Sequence, residues 1–431
     1  MRPDPPTKSN AWKWWIAGVL FLATVLTYLD RQTVSLCEAK ICDEFHLSNE
    51  QYGQLLSTFR WAYAPTHVLA GWLADHFSIR IIYALAVGVW SAAGAGAALV
   101  VSFGQLRFTR GVLGVGEAFN WPCATRIVAN TLSPEDRGLG SGIFNSGGAV
   151  GALLAPWVIT PIAGWLGWRW AFFIVGVVGF SWIALWMIVT RRGRPSHEVA
   201  GRPRPKTSTP GPRRPTLAAL RSWARETLLQ PAFWLLVVIG CSANPSWYFI
   251  TEWTTKYLHD QRGMQFIGAG LVTTPVFLGA DLGNLLSGGL IKYLTTRGWS
   301  LRKARGTTLA AATLLVLPMT FVSQIHSVWI TVGIFSLAAT GLMSLLANYT
   351  ACQQDLSFAN VGIVAGILGM SCNIFSAVVN PIIGRYVDRT HSYALIYLLV
   401  GLLPLVTLGG ILAFDAIIWS RNGKARHDPT A

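Results

Sequence analysis

Residues 14–35 read WWIAGVLFLATVLTYLDRQTVS. From Trp14 to Leu29 no charge interrupts the run, and then Asp30 and Arg31 stand side by side. At 1.5 Å of rise per residue, such a stretch as a helix reaches about 33 Å, enough to cross the roughly 30 Å hydrocarbon core of a bilayer. Runs of the same kind recur along the 431 residues, and the spans they predict are 14–35, 51–73, 80–102, 105–130, 138–162, 168–190, 231–256, 265–292, 305–323, 327–350, 359–386 and 392–419. That makes twelve transmembrane helices. Composition agrees: 52% of the residues are hydrophobic and only 12% charged, against about 25% charged in soluble domains. An ordinary soluble enzyme, a disordered chain and a secreted disulfide scaffold are thereby excluded. No small-residue cleavage site follows the first run, so it reads as a retained helix rather than a signal peptide. The six cysteines lack zinc-like spacing and are expected as free thiols.

The net charge of +15 has a topological explanation. With the N-terminus inside, 23 Lys and Arg fall in cytoplasmic segments and six in external ones, which by the positive-inside rule puts both termini in the cytoplasm. Ten of the 23 lie between Arg191 and Arg225, in a Pro-rich link that cannot pack a core. A nucleic-acid arm is not needed to account for them. The predicted organisation is a cytoplasmic tail (1–13), a six-helix bundle (14–190), a largely disordered cytoplasmic linker (191–229) with a short surface helix at 217–228, a second six-helix bundle (231–419) and a cytoplasmic tail (420–431). The halves echo each other: GWLAD (71–75) answers GGLIKYL (288–294), and Pro156 answers Pro381. Two parallel repeats of six helices are the pattern of a secondary transporter, whose substrate site lies between the halves near mid-membrane.

Charges inside the spans mark where chemistry is expected, because each costs about 2.5–3.5 kcal/mol at mid-membrane on insertion scales. Asp30, Arg31, Arg60, Arg107, Arg110, Glu117, Glu252 and Asp281 qualify, whereas Arg126 and Asp415 lie near helix ends. Tyr28 and Arg31, three apart, share a helix surface. In RGVLGVGEAFNWP (110–122), Arg110 and Glu117 lie two turns apart on one face, Asn120 extends it, and Gly111, Gly114 and Gly116 clear space for a neighbour or a ligand. A guanidinium can hold a substrate carboxylate bidentately, and a carboxylate in low dielectric can load and release a proton. Two of each suit a proton-coupled anion carrier; a structural ion-pair network is the other reading of Arg110 and Glu117. Arg60, three before Tyr63, is either a second anion anchor or a residue near the external mouth. The second half offers Asn244, Trp247 and Tyr248 around Pro245, then Asp281, Asn284, Asn348 and Asn373. Aromatic faces and amides suit a hydroxylated ring, and Asp281 is either substrate-facing or a gate partner.

These motifs resemble the major facilitator superfamily over roughly residues 12–420. GWLADHFSIR (71–80) is similar to its loop motif between helices 2 and 3, with Gly71, Asp75 and Arg80 retained, His76 in place of the usual basic residue and Ser78 in place of the usual Gly. More narrowly, YLDR (28–31), WAY (61–63), RGVLGVGEAFNWP (110–122) and SPEDRGLGSGIFNSGGAVGALLAP (133–156) resemble the anion:cation symporter branch that carries sugar acids, and QPAFWLLV…NPSWYFITEW (230–253) looks most like its hexuronate members. The resemblance implies an all-α fold of twelve helices in two pseudo-symmetric bundles. It implies substrate-carboxylate binding at Arg31 and Arg110, proton handling at Asp30 and Glu117, and a sugar site lined by Tyr28, Tyr63 and Asn373. Gating is expected at Asp75, with partners such as Arg137, and at Arg80 and Asp281. Arg60 stands where such transporters usually have Gly or Ser. The expected protein is therefore a multi-pass inner (plasma) membrane symporter, working as a monomer by alternating access and without a cofactor. It would import a sugar-acid anion with a proton, a hexuronate first and an aldonate or aldarate second, with an anion exchanger of the same fold as the alternative. A nucleophile or metal constellation, which a membrane enzyme would need, does not occur in the sequence.

Overall fold

The computed structural model describes residues 11–132, 136–192, 228–356 and 361–427. These are helical, and no strand occurs among them. The linker and its surface helix, the tail before residue 11 and the last four residues lie outside the described residues. The helices are α1 (Ala11–Leu36), the short α2 (Glu38–Phe45), α3 (Asn49–His76), α4 (Ile79–Ala97), α5 (Phe103–Glu117), α6 (Asn120–Thr131), α7 (Arg137–Trp165) and α8 (Trp168–Arg192). They continue as α9 (Pro231–Arg262), the short α10 (Phe266–Leu271), α11 (Thr274–Thr296), α12 (Leu301–Val316) with a 3-10 turn to Gln324, α13 (Val328–Leu356), α14 (Val361–Thr390) and α15 (Ala394–His427).

Ten stretches are long and apolar enough to cross a membrane by length and composition. Two of the twelve spans predicted from sequence are not among them, for physical reasons. The span 51–73 forms one 28-residue helix, α3, but Gln51, Gln54, Arg60 and His67 lower its hydropathy. The span 105–130 is broken at Ala118 and Phe119 into α5 and α6. Pro122 explains the break: without an N–H it cannot donate to the Ala118 carbonyl four residues back. His67 Nδ1 donates to that carbonyl instead, at 3.1 Å.

The helices form two compact units, one of residues 1–46 with 58–203 and the other of residues 47–57 with 204–431. The first unit is built on close approaches of backbone. In α7, a Cβ at Gly148 would lie 2.8 Å from the Tyr28 ring, and one at Gly151 would lie 2.7 Å from the Val25 carbonyl, so α1 and α7 touch along their length only because these positions lack side chains. Behind them, Tyr83, Trp90, Trp182 and Trp186 pack edge-on and stacked into a core. At one end, Glu44 of α2 accepts hydrogen bonds from Trp168 and Arg169, and Arg169 also donates to the Val100 carbonyl.

The second unit takes in the beginning of α3. Asp388 of α14 accepts hydrogen bonds from the backbone N–H groups of Asn49 and Glu50, at 2.9 and 2.8 Å, and from the Asn49 amide. It thereby caps the positive end of α3. Arg385 meets Glu50 through two bonds of 3.0 and 2.6 Å, Tyr52 donates to the Glu252 carbonyl, and Ser57 donates to the Ala377 carbonyl. Glu252, one of the unexplained charges of the sequence, accepts from the Asn380 amide. Asp415, near a helix end in the sequence, is buried and paired at 2.7 Å with Arg305 of α12.

Candidate functional site

The charged residues of α1 and α5 meet inside the first unit. Arg31 Nε donates to Glu117 Oε2 at 2.6 Å. Glu117 is fully buried and Arg31 about one-quarter exposed. Sequence spacing suggested Arg110 as the neighbour of Glu117; the structure corrects this. Seven residues of helix separate two side chains by about 10 Å of rise, beyond ion-pair reach, whereas α1 brings Arg31 directly against the last turn of α5. The second carboxylate oxygen, Oε1, is buried and accepts no hydrogen bond from the described residues. Arg110, also buried, extends NH1 toward the backbone carbonyl of Asp30, at 3.5 Å. The buried Asp30 carboxylate packs against Gly94 of α4, where a Cβ would lie 3.0 Å from its Oδ1.

Aromatic rings hold the two guanidiniums. Arg31 lies over Tyr28, Phe59 and Tyr63 at 5.6, 5.1 and 4.9 Å from the ring centroids. Arg110 lies 5.2 Å from the centroid of the same Phe59. One ring thus serves both cations. Tyr63 is stacked between Phe59 and His67. Phe59 escaped sequence reasoning because its role depends on two other helices; the only signal was its spacing of four from Tyr63. Gly114 and Gly116 serve neighbouring helices: a Cβ would lie 2.5 Å from the Phe59 carbonyl oxygen of α3 in one case and 2.8 Å from Trp90 of α4 in the other.

Two other predicted contacts are differently placed. Asn120 is buried, accepting from the Tyr83 hydroxyl at 2.5 Å and donating to Thr24. Its amide, expected from sequence to extend the substrate-binding face of Arg110 and Glu117, joins α6 to α4 and α1. Arg60 is buried within the first unit, 5% exposed. Of the gating residues, Arg80 donates to Thr190 Oγ1 and the Met187 carbonyl of α8. The side chains of Asp75 and Arg137 lie outside the described residues. Asp281 is half-buried on α11.

The second unit presents neutral groups. Trp247 is half-buried and edge-on to Phe277. Asn244 donates to the Gly240 carbonyl and lies 3.6 Å from Cys372 Sγ, and Asn373 donates to the Gly369 carbonyl of its own helix. Asn348 is held by Ser287 and the Ser344 carbonyl. No cluster of three or more metal-ligating side chains occurs among the described residues.

The family profile described as the Major Facilitator Superfamily matches residues 20–379. The chain belongs to the Major Facilitator Superfamily. Consistent with that family, it is a multi-pass membrane protein. It is similar to the "Probable sulfoacetate transporter SauU" of Cupriavidus necator, at 28% identity over 96% of this chain and 97% of the relative. It is also similar to the "Probable galactarate/D-glucarate transporter GarP" of Escherichia coli, at 27% identity over 94% and 95%. Among solved structures, a bacterial homologue of the human lysosomal transporter Spinster, inward-facing and unoccupied, matches with a TM-score of 0.74 at 20% identity, covering 95% of each chain. That superfamily fold accounts for the two units and the all-helical architecture.

Proposed function

We propose that this superfamily member imports a small organic-acid anion of the sugar-acid class by proton symport, through twelve spans with both termini cytoplasmic. The observation that carries the reading is the Arg31–Glu117 pair, buried beside Arg110 on a shared aromatic ring. Arg110 supplies a fixed positive charge, and Arg31 a second one that Glu117 holds in reserve. A substrate carboxylate that takes Arg31 from Glu117 leaves a buried carboxylate without its cation. Such a group is far more stable as the neutral acid, so anion binding and proton uptake become one event. Glu117 Oε1, buried and without a hydrogen bond from the described residues, is where that proton is received. Asp30, within electrostatic reach of both Glu117 and Arg110, links the exchange to α1.

Two guanidiniums favour a dianion. Galactarate and glucarate carry two carboxylates, sulfoacetate a carboxylate and a sulfonate, whereas a hexuronate carries one charge. The names of the two relatives support the dianion reading, and the hydroxylated acids suit the neutral amide and indole surface of the second unit. The test is uptake of labelled galactarate, galactonate and glucuronate into liposomes holding the purified protein, with an inward proton gradient. Galactarate is expected to be accumulated and to compete best, and Arg110→Ala to abolish uptake of all three. Accumulation of a neutral sugar in preference to any acid would contradict the assignment.

A further inference from the structure

Arg107 takes no part in the cluster around Glu117, although it is the charged residue nearest the start of α5. Its Nε donates to Thr58 Oγ1 of α3 at 3.2 Å, and its guanidinium lies 5.6 Å from the Phe103 ring centroid. No other hydrogen bond to it occurs among the described residues, so its two terminal nitrogens stay available. It lines a cavity of about 460 Å³ between α3 and α5, whose wall includes Ala62, Gly104, Gly111 and Val115. Val115 also lines a second cavity, of about 310 Å³, enclosed by apolar side chains of α3, α4 and α5 down to Phe77 and Phe119. The two cavities share the Val115 wall, the first forming a groove between α3 and α5.

We propose that this groove holds one anionic phospholipid of the surrounding bilayer, its phosphate on Arg107 and an acyl chain running past Gly111 toward Val115. Four features point to that occupant. The groove is open at its Gly104 end, where a Cβ would meet nothing within 4 Å. From Gly104 to Val115, eleven residues of helix rise about 16 Å, the depth of one leaflet of a 30 Å hydrocarbon core. The forked donors of arginine match two phosphate oxygens. Finally, no Asp or Glu is among the described residues lining either cavity, so none of them would balance the ammonium of a zwitterionic headgroup, and an anionic one is preferred.

Native mass spectrometry of the full chain in mild detergent tests this, with phosphatidylglycerol, phosphatidylethanolamine or oleate added separately. The wild type is expected to retain one phosphatidylglycerol, in about fivefold preference over phosphatidylethanolamine, the discrimination worth one arginine at a membrane surface. Arg107→Gln removes the headgroup contact and Gly111→Leu fills the groove; each should lose that retention. A photoactivatable acyl chain on phosphatidylglycerol, applied to the wild type, should label the 104–115 segment, which keeps the test open should a variant fail to fold. Equal retention of the two phospholipids, unchanged retention by Arg107→Gln, labelling elsewhere, or oleate bound as well as phosphatidylglycerol would each overturn the assignment.

Discussion

In the first unit, Asp30, Arg31, Arg110 and Glu117 are gathered into one largely buried cluster, interlocked by an ion pair and by the Phe59 ring that serves both cations. In the second unit the charges are spread out and spent on architecture: partly buried Asp388 caps α3, exposed Arg385 clasps Glu50, and Arg305 holds buried Asp415. What remains there around Trp247, Asn244 and Asn373 is neutral. Under the proposed function, the contrast separates two tasks that one repeat pattern could share. Charge recognition and proton exchange need titratable groups that trade partners, and these are concentrated where a single displaced bond changes the state of two residues. Discrimination among hydroxylated acids needs only amides and rings, which cost less in a membrane.

The largest expected effect comes from breaking the first cluster on one side only. Arg31→Ala leaves Glu117 buried without its cation and should cost on the order of 3–5 kcal/mol, read as a lowered melting temperature in detergent. Adding Glu117→Gln to that variant should recover most of the loss. No recovery would mean that Arg31 stabilises through its ring contacts alone. In the second unit, Asp388→Ala removes three hydrogen bonds to the first turn of α3 and should cost about 1–3 kcal/mol. Faster amide exchange confined to residues 49–53 would place the effect at that cap; unaltered exchange there would refute it. Asn120→Ala should cost about 1–2 kcal/mol, because the Tyr83 hydroxyl loses its partner, while the KM for substrate stays unchanged. Trp247→Ala should do the reverse, raising KM about threefold to tenfold, by the 0.5–1.5 kcal/mol scale of a ring contact, with the melting temperature held.

The smallest effect is a pH dependence outside the membrane. Partial burial pulls the Glu44 carboxyl up, but the hydrogen bonds from Arg169 and Trp168 and the Arg169 charge outweigh it and hold the group below its ordinary value. Its stabilising contribution is therefore complete above the unfolded carboxyl's pKa of about 4.3 and is lost as pH falls below that toward the lowered value. The melting difference between wild type and Glu44→Gln should be constant from about pH 6 to 8 and shrink below about pH 4. A difference that grows on acidification would contradict the pairing. The pair is half exposed, so its size is modest.

How far the sequence could be read follows from which signals are local. Ten of the twelve spans, their charges and the glycine-rich face of α5 are properties of single segments, and these were legible. The Tyr28–Arg31 surface was legible for the same reason, being a matter of three residues on one helix. The partner of Glu117 was not: intrahelical spacing points at Arg110, and only the approach of α1 brings in Arg31. The Tyr83 partner of Asn120 was not legible either, because an amide on a polar face looks alike whether it meets a ligand or a hydroxyl of another helix. The capture of the α3 start by α14 was invisible, since it joins residues more than 330 positions apart. The break between α5 and α6 could have been foreseen from Pro122, which leaves the Ala118 carbonyl in need of a donor.

The central claim is that Glu117 carries the proton that anion binding draws in, and Glu117→Gln tests it in one preparation. The purified variant in liposomes should still exchange internal for external labelled galactarate when no gradient is imposed, because Arg31 and Arg110 are intact and the glutamine needs no cation. It should fail to concentrate the acid when an inward pH gradient is imposed, whereas the wild type does so under identical conditions. If the variant concentrates galactarate with the pH gradient as the wild type does, Glu117 is not the proton carrier and the account is wrong.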